Sequence, residues 1–191
     1  MPKHNHTQTT TNSTTIWYIN ICHLANKLSL LESFLNKYNI DILIISEARL
    51  SATRVIEIPN YQCARFDIPL NCAGLVCLVR AGIAFKTKSM NSIENQDCVQ
   101  LDININQVNL TIALSYISPS RTVDLVFFES FCDSDITMGD FNAKHLVFGC
   151  KETNPSGEVL SDFVTTNNFL LLNDDFPPFF THTLNTQKFL T

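Results

Sequence analysis

Runs of apolar residues, each ending in a polar side chain, recur along this chain and predict its elements. The β-branched and aromatic stretch 16–21 reads as a strand. From 24 to 38 the apolar positions Leu24, Leu28, Leu31, Phe34, Leu35 and Tyr38 fall at helical spacing. Residues 40–46 then form a run that is apolar but for Asp41 and the closing Ser46, the pattern of a strand buried on both faces, with Glu47 directly after it. Beyond a loop near Pro59 and Asn60, strand-like segments follow at 61–65, 75–79, 99–105 and 108–116. Short polar turns such as 104–107 predict antiparallel pairing. A short helix at 123–131 and a strand at 135–138 come next. Residues 156–166 read as a helix with Ser156 as N-cap and Glu158 in its first turn, and 169–172 as a last apolar strand. The stretch from Asp174, with Pro177 and Pro178, reads as irregular.

At 191 residues the chain suits one domain with a sizeable core. The polar, Thr- and Asn-rich start, residues 1–15, reads as a disordered tail rather than a secretory signal, and 16–191 as the domain. His4 and His6 within it read as solvated. A net charge of −5 argues against binding nucleic acid through a global basic field, but leaves room for a nuclease with local basic loops. The seven cysteines are odd in number, scattered and free of any CxxC spacing, so reduced thiols and a nuclear or cytoplasmic compartment are expected. No apolar run is long enough for a membrane span, and no membrane or stable protein partner is expected.

The chemistry concentrates in Met138-Gly139-Asp140-Phe141-Asn142-Ala143-Lys144-His145. An acid and an amide two residues apart at a strand's end share a face if the extended geometry persists. A carboxylate accepts only, whereas an amide also donates, so such a pair orients a water and holds a phosphate oxygen. Asn20, Glu47 and Tyr116 also stand at or just past strand ends, where open sheets collect their sites. Each has an ordinary reading alone: a strand terminus, a capping or surface acid, a core aromatic. Together with Asp140 and Asn142 they make a small phosphoryl-transfer site for a divalent metal.

Taken in order, these stretches resemble the endonuclease/exonuclease/phosphatase superfamily, and more closely the apurinic-type endonuclease domain of jockey-like non-LTR retrotransposons. The likeness rests on Trp17-Tyr18-Ile19-Asn20, on the run 40–47 ending Ser46-Glu47, on 73–80, on Ser115-Tyr116-Ile117-Ser118-Pro119, on Met138 to His145 with Phe148-Gly149-Cys150, and on 157–182. It implies an α/β fold in which two packed, mostly antiparallel sheets are flanked by helices as a four-layer sandwich lacking its last strands. It also implies an endonuclease that uses Mg²⁺ (or Mn²⁺) and takes DNA as partner. On that resemblance Glu47 is the main metal ligand with Asn20 close by, Asp140 orients or deprotonates the attacking water, and Asn142 and Tyr116 hold phosphoryl oxygens. His145 matches the same pattern but favours a structural role over proton transfer, and Lys144 reads equally as a phosphate contact or a solvated lysine.

Three departures from that pattern carry expectations. Ile21-Cys22-His23 stands where a glycine-containing turn is usual, which restricts the backbone beside Asn20. Phe148 stands where a tryptophan is common. The chain stops at Thr191 before the Asp-bearing strand and the Ser-Asp-His triplet of the resemblance, and His182 is no substitute. Low nuclease activity of these 191 residues is therefore expected. The competing readings are a non-catalytic relic that binds DNA or a protein, and a phosphatase or phosphodiesterase of the same superfamily acting on a lipid or inositol phosphate.

Overall fold

The computed structural model describes residues 14–51, 53–66, 74–93, 96–130, 132–172 and 189–190. Residues 1–13, the region around Pro177 and Pro178, Cys72 and His182 lie outside the described residues.

One sheet has the order β1-β2-β4-β3. Its strands are β1 (Ile16–Asn20), β2 (Ile42–Ser46), β3 (Tyr61–Phe66) and β4 (Leu75–Arg80). The second has the order β5-β6-β7-β8-β10-β9. It comprises β5 (Ala84–Ile93), β6 (Gln96–Ile105), β7 (Val108–Ile117), β8 (Ile136–Asp140), β9 (Leu170–Leu171) and β10 (Phe189–Leu190). Helices α1 (Leu28–Tyr38), α2 (Leu125–Glu129) and α3 (Pro155–Thr166) complete the fold.

The two sheets pack face to face. Ile16, Tyr18, Ile42, Ile44, Cys77 and Val79 of the first share one buried cluster with Val99, Leu101, Ile112, Leu114, Tyr116 and Met138 of the second. On the outer face of the first sheet, Leu31 and Leu35 of α1 cover Trp17, Leu43 and Ile45. On the outer face of the second, Phe127, Phe128, Leu160 and Phe163 of α2 and α3 cover Cys98, Ala113 and Ile117. The result is the expected four-layer α/β sandwich. The alternation of side chains explains why β2 is buried along its whole length: one face meets the other sheet, the other meets α1.

Several boundaries move for physical reasons. Helix α1 starts at Leu28, four residues later than its apolar spacing begins, because Leu24 is buried by a loop rather than by a helix. It ends at Asn39, which takes the left-handed conformation (φ 48°) that closes helices. Helix α3 begins earlier than expected. Asn154 is its N-cap, with Pro155 in the first turn, and Ser156 is already helical and buried. Strand β5 has no counterpart among the expected elements: its sequence is polar, because it is an edge strand with exposed Lys86, Lys88 and Ser89. Strand β10 enters the sheet between β8 and β9, Phe189 opposite both Ile136 and Leu170.

Two parallel pairs position the site. β1 runs beside β2 with Asn20 level with Ser46, and β7 runs beside β8 with Tyr116 level with Asp140. All four carboxyl ends finish at the same end of the sandwich, since Asn20 and Asp140 are hydrogen-bonded across the two sheets.

Candidate active site

Asn20 joins the two halves of the molecule. Its Nδ2 donates to Glu47 Oε1 at 2.9 Å and to Asp140 Oδ2 at 3.1 Å. Three polar side chains separated by 27 and 120 positions in the chain thus meet at one point. Two carboxylates on one amide would repel each other without that donor, so the amide holds them together. Arg49 contributes a cation, its Nη2 donating to Glu47 Oε2 at 2.7 Å.

Backbone conformation at this edge is unusual. Cys22, His23, Glu47, Arg49 and Asn142 all have positive φ, from 44° to 71°. Residues with side chains enter this region only at a cost, and such positions gather where surrounding bonds enforce them. Here the bonds are visible. His23 N donates to Glu47 O and Leu24 N to Ala48 O, both at 2.9 Å. The Lys27 ammonium donates to the carbonyls of Ile21 and Cys22. The turn after Asn20 is therefore made without glycine, Cys22 adopting φ 44°.

Asp140 ends β8, and the extended geometry does not continue to Asn142, which adopts φ 45°. The two side chains accordingly do not share a strand face. Asn142 N turns back to donate to Asp140 Oδ1 at 3.2 Å, and its Nδ2 donates to Ile117 O at 2.8 Å. One of the two amide hydrogens of Asn142 is thereby engaged by the backbone. Tyr116 stands directly opposite Asp140 and is 7% exposed.

Behind this surface Tyr18 lies buried with its hydroxyl 2.6 Å from Ser46 Oγ. Burial pushes its phenol far above the ordinary range, and the neighbouring Asp140 carboxylate pushes it further in the same direction. Tyr18 is thus a neutral hydrogen-bonding wall beneath the two acids.

His145 has other partners. Its Nδ1 accepts from Val147 N at 3.2 Å at the start of a 3-10 turn (Leu146–Phe148), its Nε2 is 3.9 Å from Glu158 Oε2, and its ring packs edge-on to Phe148.

Arg49 and Asn154 belong to the site although the sequence pattern does not single them out. Asn154 Nδ2 donates to Asn142 O, while its Oδ1 accepts from Lys144 N and Gly157 N, each at 2.8–2.9 Å. The signal that marks Asn154 is an Asn-Pro step ahead of a helical pattern, in which Asn is the cap. Arg65 of β3 donates to the carbonyls of Leu50, Ser51 and Arg54 and so fixes the loop that follows Glu47.

The donor set at the centre consists of hard oxygens, the carboxylates of Glu47 and Asp140 with the Asn20 amide beside them. Among the described residues there is no grouping of three or more His, Cys, Asp or Glu side chains. A sparse oxygen site fits a cation such as Mg²⁺, which keeps several waters and needs one or two carboxylates. No helix among the described residues is long and apolar enough to cross a membrane.

No protein-family profile matches the chain. Over 158 residues, 80% of its length, it is 23% identical to the RNA-directed DNA polymerase from mobile element jockey of Drosophila funebris. The corresponding Drosophila melanogaster protein is 20% identical over 158 residues. The chain spans 17% of the length of these relatives. Its fold is similar to that of the endonuclease domain of TRAS1, a telomere-specific non-LTR retrotransposon (TM-score 0.58, 16% identity, 81% of this chain and 72% of that one). It is likewise similar to the catalytic domain of human Nocturnin (0.52, 17%, 81% and 69%). An endonuclease/exonuclease/phosphatase family protein from Leptotrichia buccalis compares at 0.53, with 12% identity over 80% and 72% of the two chains. At these identities the likeness establishes the fold alone, an α/β sandwich like those of these proteins.

Proposed function

We propose that the chain is a divalent-metal-dependent phosphodiesterase that nicks DNA, the endonuclease domain of a jockey-like non-LTR retrotransposon. The observation that carries this reading is the double hydrogen bond from Asn20 to Glu47 and Asp140. It assembles an oxygen site at the carboxyl ends of two parallel strand pairs, one in each sheet. The similarity to jockey polymerases supports the choice of DNA as substrate.

Glu47 would hold the metal, with Asn20 beside it; bound there, Mg²⁺ or Mn²⁺ supplies charge stabilisation of the phosphoryl oxygens. Asp140 accepts a proton from the attacking water and orients it, a general-base role suited to an acceptor-only group. Asn142, through its second amide hydrogen, and the Tyr116 hydroxyl donate to phosphoryl oxygens as negative charge builds there. Such preorganised donors lower a barrier because their orientation is fixed before the reaction. Lys27, Asn154 and the Ser46–Tyr18 pair maintain that orientation from behind. His145 has a structural role at its turn.

The test is the nicking of supercoiled plasmid. Nicking is expected to be slow, to require added Mg²⁺ or Mn²⁺, and to fall by at least about a further 100-fold in Asp140→Ala, in the range of losses for central catalytic groups. Nicking that survives either EDTA or that substitution refutes the proposal. A second reading, a phosphodiesterase of the same fold with another phosphate ester, rests on the fold alone, which the chain shares at comparable TM-scores with Nocturnin and the Leptotrichia protein. Metal-dependent turnover of a phospholipid or inositol phosphate, with plasmid left intact, selects it.

A further inference from the structure

Glu47 has both carboxylate oxygens engaged before any ligand arrives: Oε1 accepts from Asn20 and Oε2 from Arg49. The pair is unequal in exposure. The Glu47 side chain is 16% exposed and that of Arg49 45%, so the acid is fixed in the fold and the guanidinium lies at its mouth. Arg49 is held in place through its backbone. It has φ 45°, Ala48 before it is buried and donates to Gly74 O, and Leu50 and Ser51 after it accept from Arg65. A rigid loop therefore presents a permanently charged, five-donor group beside the carboxylate proposed to hold the metal.

Charge sets up a competition at this carboxylate. A divalent cation on Glu47 meets the guanidinium as a like charge and competes with it for Oε2. A phosphodiester carries the opposite charge, and a guanidinium binds two of its oxygens at once. We propose that Arg49 is a substrate-phosphate ligand parked on Glu47 in the free protein, opposing the metal until DNA phosphate draws it away. Arg49 thus couples the two ligands: the metal binds weakly alone and more tightly once a phosphate has taken the guanidinium, and by linkage the reverse also holds. This coupling rests on the reading of the site as a metal-dependent nuclease.

The experiment measures each ligand separately on the full chain, so no turnover is needed. Mn²⁺ alone is titrated by calorimetry, and a fluorescent DNA duplex is titrated in EDTA at a series of NaCl concentrations. Arg49→Gln is expected to tighten Mn²⁺ by about three- to tenfold, the effect of removing one nearby like charge at a partly exposed site. The same variant is expected to weaken DNA binding and to make its log–log salt slope shallower by about 1, as for one lost phosphate contact. Arg49→Lys, which keeps the charge, is expected to return both readouts towards wild type. A local folding defect would weaken both ligands, so opposite signs separate the proposal from a structural role. An unchanged or weaker Mn²⁺ affinity in Arg49→Gln, an unchanged salt slope, or a Lys variant that behaves as Gln overturns it. Glu47→Gln is the control for the underlying reading. If Mn²⁺ still binds to that variant as to wild type, the metal site itself is misplaced and this inference goes with it.

Discussion

Asn154 makes the dependence of the site on groups outside it testable one residue at a time. Its Oδ1 caps α3 and holds Lys144 N, while its Nδ2 holds Asn142 O. Removing a cap and stranding its partners costs about 2 kcal/mol, or about 4–8 °C in melting temperature for a chain of this size. Asn154→Ala is expected to show that loss by thermal denaturation. Asn154→Ser keeps an acceptor able to cap the helix, but its one short hydroxyl cannot serve the cap and also take the place of Nδ2 on Asn142 O. Asn154→Ala is also expected to lose nicking by releasing Asn142, and Asn154→Ser is expected to recover about half the stability and none of that activity. Should nicking recover in step with stability, Asn154 acts on the helix alone. The same residue shows where sequence stops being informative. Asn20, Glu47 and Asp140 are legible because each ends an apolar run, where an unpaired acid or amide is costly. Asn154 and Arg49 lie in loops, and nothing in their spacing tells which carbonyl or carboxylate they face.

Between elements, the contact that sets the site's geometry is β7 against β8, and glycine makes it possible. A Cβ on Gly139 would lie 1.9 Å from Ser115 O, its register partner, one step from the Tyr116–Asp140 pair. The neighbour is backbone, so relief requires the strands to separate. Gly139→Ala is expected to cost more than about 3 kcal/mol by urea unfolding, at the upper end of overpacking effects. The nearby Gly157 has the same constraint against Lys144 O, 1.8 Å from a Cβ placed there. A Gly139→Ala protein with wild-type stability would mean that β7 and β8 are not paired in this register. Most strands can be read from the chain because burial writes itself as apolar runs, as in β2 and β4. Strand β5 cannot, since an exposed edge carries lysines and serines with no apolar stripe to betray it. The displaced N-cap of α3 has a different cause: Ser156 is an equally good capping residue, and only the fold commits its hydroxyl to Arg121 O instead.

Across the whole molecule, the packing of one sheet on the other (Cys77, Tyr18) and of helices on the second sheet's outer face (Cys98) buries groups that ionise at high pH, and the sign of their effect can be worked out. Burial pushes the Cys77 and Cys98 thiols up from 9.0, and the Tyr18 phenol up from 10.0, in the last case with help from Asp140 of the opposite sheet. Cys63 and Tyr61 shift in the same direction. A group whose value is raised by folding contributes stability that is complete below its unfolded value and is lost as pH rises past it. The unfolded chain ionises its thiols from about pH 9 and its phenols from about pH 10, whereas the folded chain keeps the buried ones neutral. Stability measured by urea unfolding under reducing conditions is therefore expected to be flat from about pH 7 to about pH 8.5. It then declines from about pH 9 and steepens above about pH 10, the buried Cys77, Cys98 and Tyr18 each adding up to about 1.4 kcal/mol per pH unit. Tyr18→Phe is expected to leave the onset near about pH 9 unchanged and to flatten the limb above about pH 10 by one such increment. A limb of unaltered slope in that variant would mean that Tyr18 is not enclosed between the sheets. Since Tyr18 and Asp140 approach each other only through that packing, it would also dissolve the juxtaposition of the two strand pairs on which the site depends.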